Sequence, residues 1–303
     1  MAVARPERLR AVDLLLLGYL GVVSAVAVVR APSQPGCWWL LGAHGLFLVL
    51  LVLITRPGLG PVGRTLREIY PLLLLAGLYA ELDVLNGATS RPVYDALVQR
   101  WELAIFGVQA STAWWQSAPS RFWSAVLHAA YFSYYFIILV PALFFVWRRD
   151  LEAVRHFVLV VMTVFVLCYL AFIFFPVAGP YYLFPRPAAW FTDNYPARLV
   201  YATLAGGSSY GAAFPSSHVA ATVAAALAGY RGSRPLGLLL AVPTALLTVG
   251  VVYCQMHYAV DAVAGLGVGV AVAWALGLRR SPVLSRLPLR SRRARSLTAP
   301  GTG

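Results

Sequence analysis

The chain has 303 residues, 60% of them hydrophobic and only 12% charged, with a mean hydropathy of +0.73 and a formal net charge of +13. A soluble domain carries about 25% charged residues, and stretches such as "LLLLGYLGVVSAVAVV" lack the polar stripe of a soluble helical core, so the composition describes a polytopic membrane protein. All 24 basic residues are arginine and most lie between apolar runs, which reads as an orientation signal, with no nucleic-acid partner.

Eight apolar runs are long enough to cross a bilayer, at about 11–30, 37–55, 68–86, 122–147, 155–176, 213–230, 235–254 and 256–278. The expected fold is all-α, with about eight transmembrane helices. The first run follows "RPERLR" and contains Ala25-Val26-Ala27, so it resembles a secretory signal; its length favours an uncleaved span. Alternate connections divide the arginines into two unequal sets. Eighteen fall in the N terminus, around Arg56–Arg67, around Arg148–Arg155, at Arg231 and Arg234, and in the tail after residue 278. Only Arg30, Arg91, Arg100, Arg121, Arg186 and Arg198 face the other way. This asymmetry predicts a multi-pass cell-membrane protein with both termini cytoplasmic and the connections 87–121 and 177–212 outside.

Within the first outer connection, "RPVYDALVQRWELAIFG" places Val93, Leu97, Trp101 and Ile105 on one helical face, with Asp95, Gln99, Arg100 and Glu102 elsewhere. Pro92 opens the segment and Gly107 closes it, which predicts an amphipathic helix on the outer membrane surface. The tail 279–303, rich in Arg, Ser and Pro, reads as a disordered cytoplasmic extension able to touch anionic lipid. Cys37, Cys168 and Cys254 fit no metal or disulfide spacing and read as packing residues. No metal or cofactor is expected.

Two short stretches carry chemistry. In "AAFPSSHVAA", Pro215, Ser216, Ser217 and His218 open the sixth run at its outer end. A helix start offers unpaired N–H groups and the positive end of its dipole, which suits phosphate. Ser216 can cap that helix or donate to a bound oxygen. Gly206, Gly207 and Gly211 let the preceding backbone approach a ligand. The same residues also fit a capped helix whose histidine rests in the headgroup layer. "QMHYAVDAVAG" places His257 and Asp261 four residues apart at the outer end of the eighth run, on one helical face, where the carboxylate can hold the imidazole's other N–H. Asp261 is the only acidic residue after Asp193 and lies in an apolar helix, where charge is expensive and points to function. A nucleophilic imidazole with its orienting carboxylate, plus a second histidine as acid, suits phosphoryl transfer.

"FPSSH" followed by "HYAVD" resembles the second and third motifs of the type 2 phosphatidic acid phosphatase superfamily, whose pattern runs Lys-x6-Arg-Pro, Pro-Ser-Gly-His and Ser-Arg-x5-His-x3-Asp. The resemblance covers roughly residues 80–275. It implies a six-helix catalytic membrane domain over 68–278, preceded by a pair of helices in 1–67. It also implies that His257 attacks phosphorus to form a phosphohistidine, that Asp261 orients it and that His218 protonates the leaving oxygen. Ser217 stands where the family has Gly, Gly250 and Val251 replace Ser-Arg, and the chain has no Lys, leaving Arg91-Pro92 as a remnant of the first motif. This reduced pattern is similar to the inositol phosphorylceramide synthase and sphingomyelin synthase branches. "FPVAGPYY" and "HAAYFSYYF" look like the former.

The missing cations have a physical reading. A terminal phosphate brings about two negative charges and a phosphodiester headgroup brings one. A site stripped of Lys and Arg matches the diester, and so a phosphotransferase moving a phosphorylated headgroup from a lipid substrate to a lipid acceptor. The alternative is a lipid phosphate or polyprenyl diphosphate phosphatase with water as acceptor, in which Arg91, Arg121 or above all Arg186 restores the charge. Ser216, Ser217, Gly211, Arg186 and Arg91 are thus the expected substrate-binding residues. Other classes fit less well: a proton-coupled transporter would place its His and Asp nearer mid-bilayer within inverted repeats. A His-His-Asp metal site and an inactive relative are the remaining readings. His128 is expected to line the cavity or pack between helices. Tyr131, Tyr134 and Tyr135 read as interface aromatics, and Glu81 and Asp83 as surface or headgroup-binding residues.

Overall fold

A computed structural model describes residues 9–56, 58–86 and 92–278. The described chain is helical, with one isolated parallel bridge between Val177 and Ala212. In chain order the helices are α1 (Ala11–Arg30), α2 (Gly36–Ile54), α3 (Pro61–Leu73), α4 (Leu75–Asn86), α5 (Asp95–Phe106), α6 (Ala110–Ser117), α7 (Arg121–Phe132) and α8 (Tyr134–Trp147). Then follow α9 (Leu151–Phe174), the short turns α10 (Pro180–Leu183) and α11 (Ala189–Thr192), α12 (Tyr195–Gly207), α13 (Ser217–Gly232), α14 (Arg234–Tyr253) and α15 (Ala259–Leu278).

Five helices, α1, α2, α9, α14 and α15, are long and apolar enough to cross a membrane, and α7 with α8 makes a sixth span bent by 42°. The bend falls at Ser133, whose hydroxyl donates back to Ala130 O at 2.6 Å, a side-chain bond that competes with the helical ladder. The third expected span is broken instead of continuous. Pro71 has no N–H for Arg67 O, which accepts from Arg10 Nη1 at 3.1 Å, and the chain restarts as α4 after Leu74. The sixth is short: 16 residues rise about 24 Å, less than a hydrocarbon core of about 30 Å. Ala25–Ala27 lies inside the continuous helix α1, where Val23 and Ala27 are buried.

At the core, α13 packs against α8, α9, α14 and α15. Gly265 and Gly269, one turn apart on α15, permit a close approach to α13. A Cβ on either would stand 2.5 Å from a carbonyl of α13, Ser216 O or Ala220 O. At the end of the bundle opposite Ser216, buried charges tie α1, α3 and α9 together. Asp13 accepts from Arg67 Nη2 at 2.9 Å, and Glu68 accepts from Arg10 at 2.7 Å and from Arg155 at 2.8 and 2.9 Å.

Candidate active site

The two histidine motifs meet at the N terminus of α13. His218 lies in its first turn, His257 lies in the turn between α14 and α15, and their ring centroids are 5.7 Å apart. His257 Nδ1 is 3.1 Å from Ala213 O and 3.4 Å from Asp261 Oδ2. Both neighbours are acceptors, so Nδ1 carries the proton and Nε2 presents the lone pair. The sequence expectation of one shared helical face needs correction: α15 begins at Ala259, so His257 precedes the helix and Asp261 sits in its first turn. Asp261 Oδ2 also accepts the Tyr258 N–H at 2.9 Å, so one buried carboxylate shapes the turn and holds the imidazole. His218 is enclosed by Tyr131, stacked at 4.7 Å, and Tyr134, at 4.5 Å. Its Nδ1 is buried and has no hydrogen-bond partner among the described residues.

Local backbone chemistry fixes these positions. Ser216 caps α13, its hydroxyl accepting from Val219 N, while its own N–H donates to Asp261 O at 3.0 Å and stitches the two motifs together. Gly211 has φ +91°, and the following residues join the bridge in which Ala213 N donates to Val177 O at 2.8 Å. Gly179 has φ +87°, and a Cβ there would lie 2.8 Å from that of Ala213, the residue whose carbonyl holds His257.

Two acidic residues of α5 complete the frame. Asp95 accepts from Ala178 N at 2.7 Å, Gly179 N at 2.8 Å and Tyr258 Oη at 3.0 Å. Glu102 accepts from Ala110 N at 3.2 Å, Ala259 N at 3.1 Å and Val260 N at 2.9 Å, capping α15 from another helix. The amphipathic reading of this segment was therefore inverted on its polar side. Asp95 and Glu102 are buried, whereas Trp101, Leu103 and Ile105 face outward. The sequence spaced Asp95, Val98 and Glu102 along one face, and that spacing was the available signal.

A cavity of about 40 Å³ lies beside the histidines, lined by both of them and by Tyr79, Tyr131, Tyr181, Tyr182, Ser208 and Ser209 among others. Tyr79 reaches it from α4, where its hydroxyl accepts the Ser209 N–H at 3.0 Å. On the exposed rim, Tyr182 Oη and Ser208 Oγ are hydrogen-bonded at 2.7 Å. Among the described residues, no arginine lines this cavity.

Of the residues expected to bind substrate, Ser216 is buried in its cap, Ser217 is buried beside it and Gly211 sits in the bridge-forming turn. Arg186 is exposed, with its guanidinium 5.8 Å from the Tyr181 ring centroid and 5.2 Å from that of Tyr201. Arg91 lies outside the described residues. Arg121 pairs with Asp193 at the surface. His128 packs between helices, its Nδ1 2.8 Å from Ser124 O and 3.4 Å from Cys254 Sγ. Tyr131 and Tyr134 were expected at the membrane interface, but both face His218. Glu81 is buried, bonded to Tyr19 Oη at 3.3 Å and His44 Nε2 at 3.2 Å, so it is not a surface headgroup ligand.

With its paired histidines at a helix start inside an apolar bundle, the molecule has the layout of a membrane-embedded phosphoester enzyme. Residues 97–275 match the sequence model of the PAP2 superfamily, and the chain belongs to that superfamily. Its members are phosphatases or phosphotransferases, which makes lipid phosphoester chemistry the class of activity. No curated protein and no solved structure matches the chain.

Proposed function

We propose that the protein transfers a phosphorylated headgroup from one membrane lipid to another through a covalent intermediate on His257. The observation that carries this reading is the geometry at His257, whose Nδ1 faces two acceptors, an arrangement that leaves Nε2 as a nucleophile beside His218. In the first step Nε2 attacks phosphorus, the bond to the glycerol oxygen of the donor lipid breaks, and His218 gives that oxygen a proton. In the second, His218 takes the proton from an acceptor lipid hydroxyl as its oxygen displaces His257 from phosphorus. Asp261 stabilises the imidazolium character that develops on His257 in each step. The N–H groups of Ser217 and His218, first in α13, have no helical acceptor and suit the phosphoryl oxygens.

The cation-poor wall favours a singly charged diester over a doubly charged monoester. Arg186 stands at the rim over Tyr181, a place from which it meets a headgroup before the reacting phosphate. On this reading both termini are cytoplasmic, the site faces the outer leaflet and residues 68–278 form the catalytic unit behind the α1–α2 pair. About 40 Å³ is little more than one water's share of liquid, about 30 Å³, so the walls must part to admit a headgroup. The Tyr182–Ser208 bond ties the two segments that have to separate. Tyr182→Phe is expected to lower KM by about twofold to tenfold with kcat little changed, measured with a soluble short-chain substrate; an unchanged KM removes the latch.

The test of the function uses purified protein in mixed micelles with chelator. A lipid phosphomonoester, a polyprenyl diphosphate and a series of phosphodiester lipids are supplied singly, the last with diacylglycerol or ceramide as acceptor. Inorganic phosphate and new phospholipid are measured together, with His257→Ala as the blank. New phospholipid that depends on His257 supports transfer. Phosphate release with no new lipid makes the protein a phosphatase, and activity lost to chelator alone replaces the phosphohistidine with metal chemistry.

A further inference from the structure

Helix α4 brings to the active-site cavity a side chain that the two histidine motifs do not supply. It precedes residues 97–275, the part of the chain that matches the superfamily, so nothing in that match accounts for it. Restarting after Leu74, the helix carries Tyr79 and Glu81 on opposite sides. On one side the buried Glu81 carboxylate accepts from Tyr19 Oη of α1 at 3.3 Å and lies 3.2 Å from His44 Nε2 of α2, whose Nδ1 is 2.7 Å from Ser24 Oγ. On the other side the Tyr79 ring rests against Tyr169 of α9, with centroids 5.9 Å apart. Asn86, two turns further, donates to Phe172 O at 3.4 Å and to Tyr210 O at 3.3 Å. Polar groups inside apolar spans are costly, and these clamp α4 from both sides.

The clamp fixes a neutral donor at the cavity. Tyr79 Oη accepts the Ser209 N–H at 3.0 Å, and among the described residues no acceptor meets its own proton. Ser209 is 3% exposed, and its Oγ likewise has no partner among the described residues. Both residues line the cavity that holds His218 and His257. Buried hydroxyls are normally satisfied, so two free ones side by side next to the reacting histidines call for a bound acceptor.

We propose that Tyr79 and Ser209 are catalytic donors that together hold one non-bridging oxygen of the phosphodiester, in a wall that holds no arginine among the described residues. The inference rests on the phosphoester reading of His218 and His257. The Tyr79–Ser209 backbone bond keeps the two hydroxyls within one residue of each other, so they serve the same oxygen. The other non-bridging oxygen faces the N–H groups at the start of α13. A diester spreads one negative charge over these two oxygens, which neutral donors match without a cation. Bonds that strengthen as charge builds in the transition state raise kcat more than they tighten binding.

The test uses the full-length protein in mixed micelles with a phosphodiester lipid and its two phosphorothioate diastereomers, in which sulfur, a weak acceptor, replaces one or the other non-bridging oxygen. New phospholipid and released headgroup are measured together, with His257→Ala as the blank. Tyr79→Phe and Ser209→Ala are each expected to lower kcat on the oxygen substrate about 10- to 100-fold with KM little changed. Each should slow one diastereomer by the same factor and leave unchanged the other, whose sulfur already stands where the donors point. Ser209→Ala removes an oxygen with no partner among the described residues, so its melting profile in detergent should match wild type. Tyr230→Phe, exposed near the far end of α13, should change no rate. Either variant slowing both diastereomers alike, or neither, overturns the role of that residue and leaves the transfer reading standing, since a merely structural loss does not distinguish the two sulfurs. A diester that the wild-type protein leaves intact overturns both.

Discussion

His257 has a neighbour on each side of its Nδ1 proton, a backbone carbonyl and a carboxylate, and only the carboxylate can be altered without moving the chain. Asp261→Asn keeps an oxygen for the Tyr258 N–H but removes the charge that favours a positively charged imidazole. We expect kcat to fall about 10²–10⁴-fold with little change in KM, measured on the transfer reaction. An unchanged kcat would confine Asp261 to shaping the turn. The residues of this constellation were legible in the sequence because a lone acid in an apolar run and two histidines on one side of the membrane are costly features. The aromatic enclosure of His218 was not legible. Tyr131 and Tyr134 fall in the middle of the 122–147 run, where the sequence does not show which neighbour they face, and they flank the bend at Ser133 with both rings against His218 of α13.

Helix α5 shows why element-level reading went astray. Its apolar and polar faces and its Gly107 stop were visible, and Gly107 does close the helix with φ +71°. The assumption that the acids face water failed because two neighbouring segments present backbone N–H groups that need acceptors, those at 178–179 and at 259–260. A sequence shows the acids but not the orphan donors they satisfy. Glu102→Ala leaves three buried N–H groups without that acceptor, and we expect a loss of about 3 kcal/mol or more in stability. Turnover should fall with it, because the His257 turn is anchored through the same helix start. Thermal unfolding in detergent and transfer rate, measured together on Glu102→Ala and Glu102→Gln, check this. A Gln variant that matches wild type in both would show that one neutral acceptor suffices and that the charge contributes nothing.

Across the whole molecule, the ion pairs of Asp13 and Glu68 lie at the end of the bundle opposite the site, so their share of stability is separable from the chemistry. The all-α, many-span character was legible from length and composition alone, but of the eight expected spans five are single helices long and apolar enough to cross and a sixth is the bent α7–α8 pair. The break at Leu74 and the short α13 were not legible, since both depend on partners distant in sequence: Arg10 for the carbonyl freed by Pro71, and Gly265 and Gly269 for the close approach of α15. Glu68 joins Arg10 of α1's N-cap to Arg155 of α9, and it is buried. Glu68→Ala should lower stability by about 3 kcal/mol, less than the extreme for a fully buried pair because Arg155 is 47% exposed. Turnover per folded molecule should stay the same at low temperature. A variant that loses turnover in step with no loss of stability would place α1–α3 within the catalytic unit.

The most direct measurement is the mass left on His257. Protein mixed with a phosphodiester lipid and no acceptor is quenched in base, digested and mapped. Headgroup transfer predicts an acid-labile adduct on the peptide containing His257 that retains the whole phosphorylated headgroup. It should be absent in His257→Ala and should disappear into new phospholipid when an acceptor lipid is added. No adduct on that peptide, or a bare phosphoryl group formed only from phosphomonoester lipids, would contradict the account.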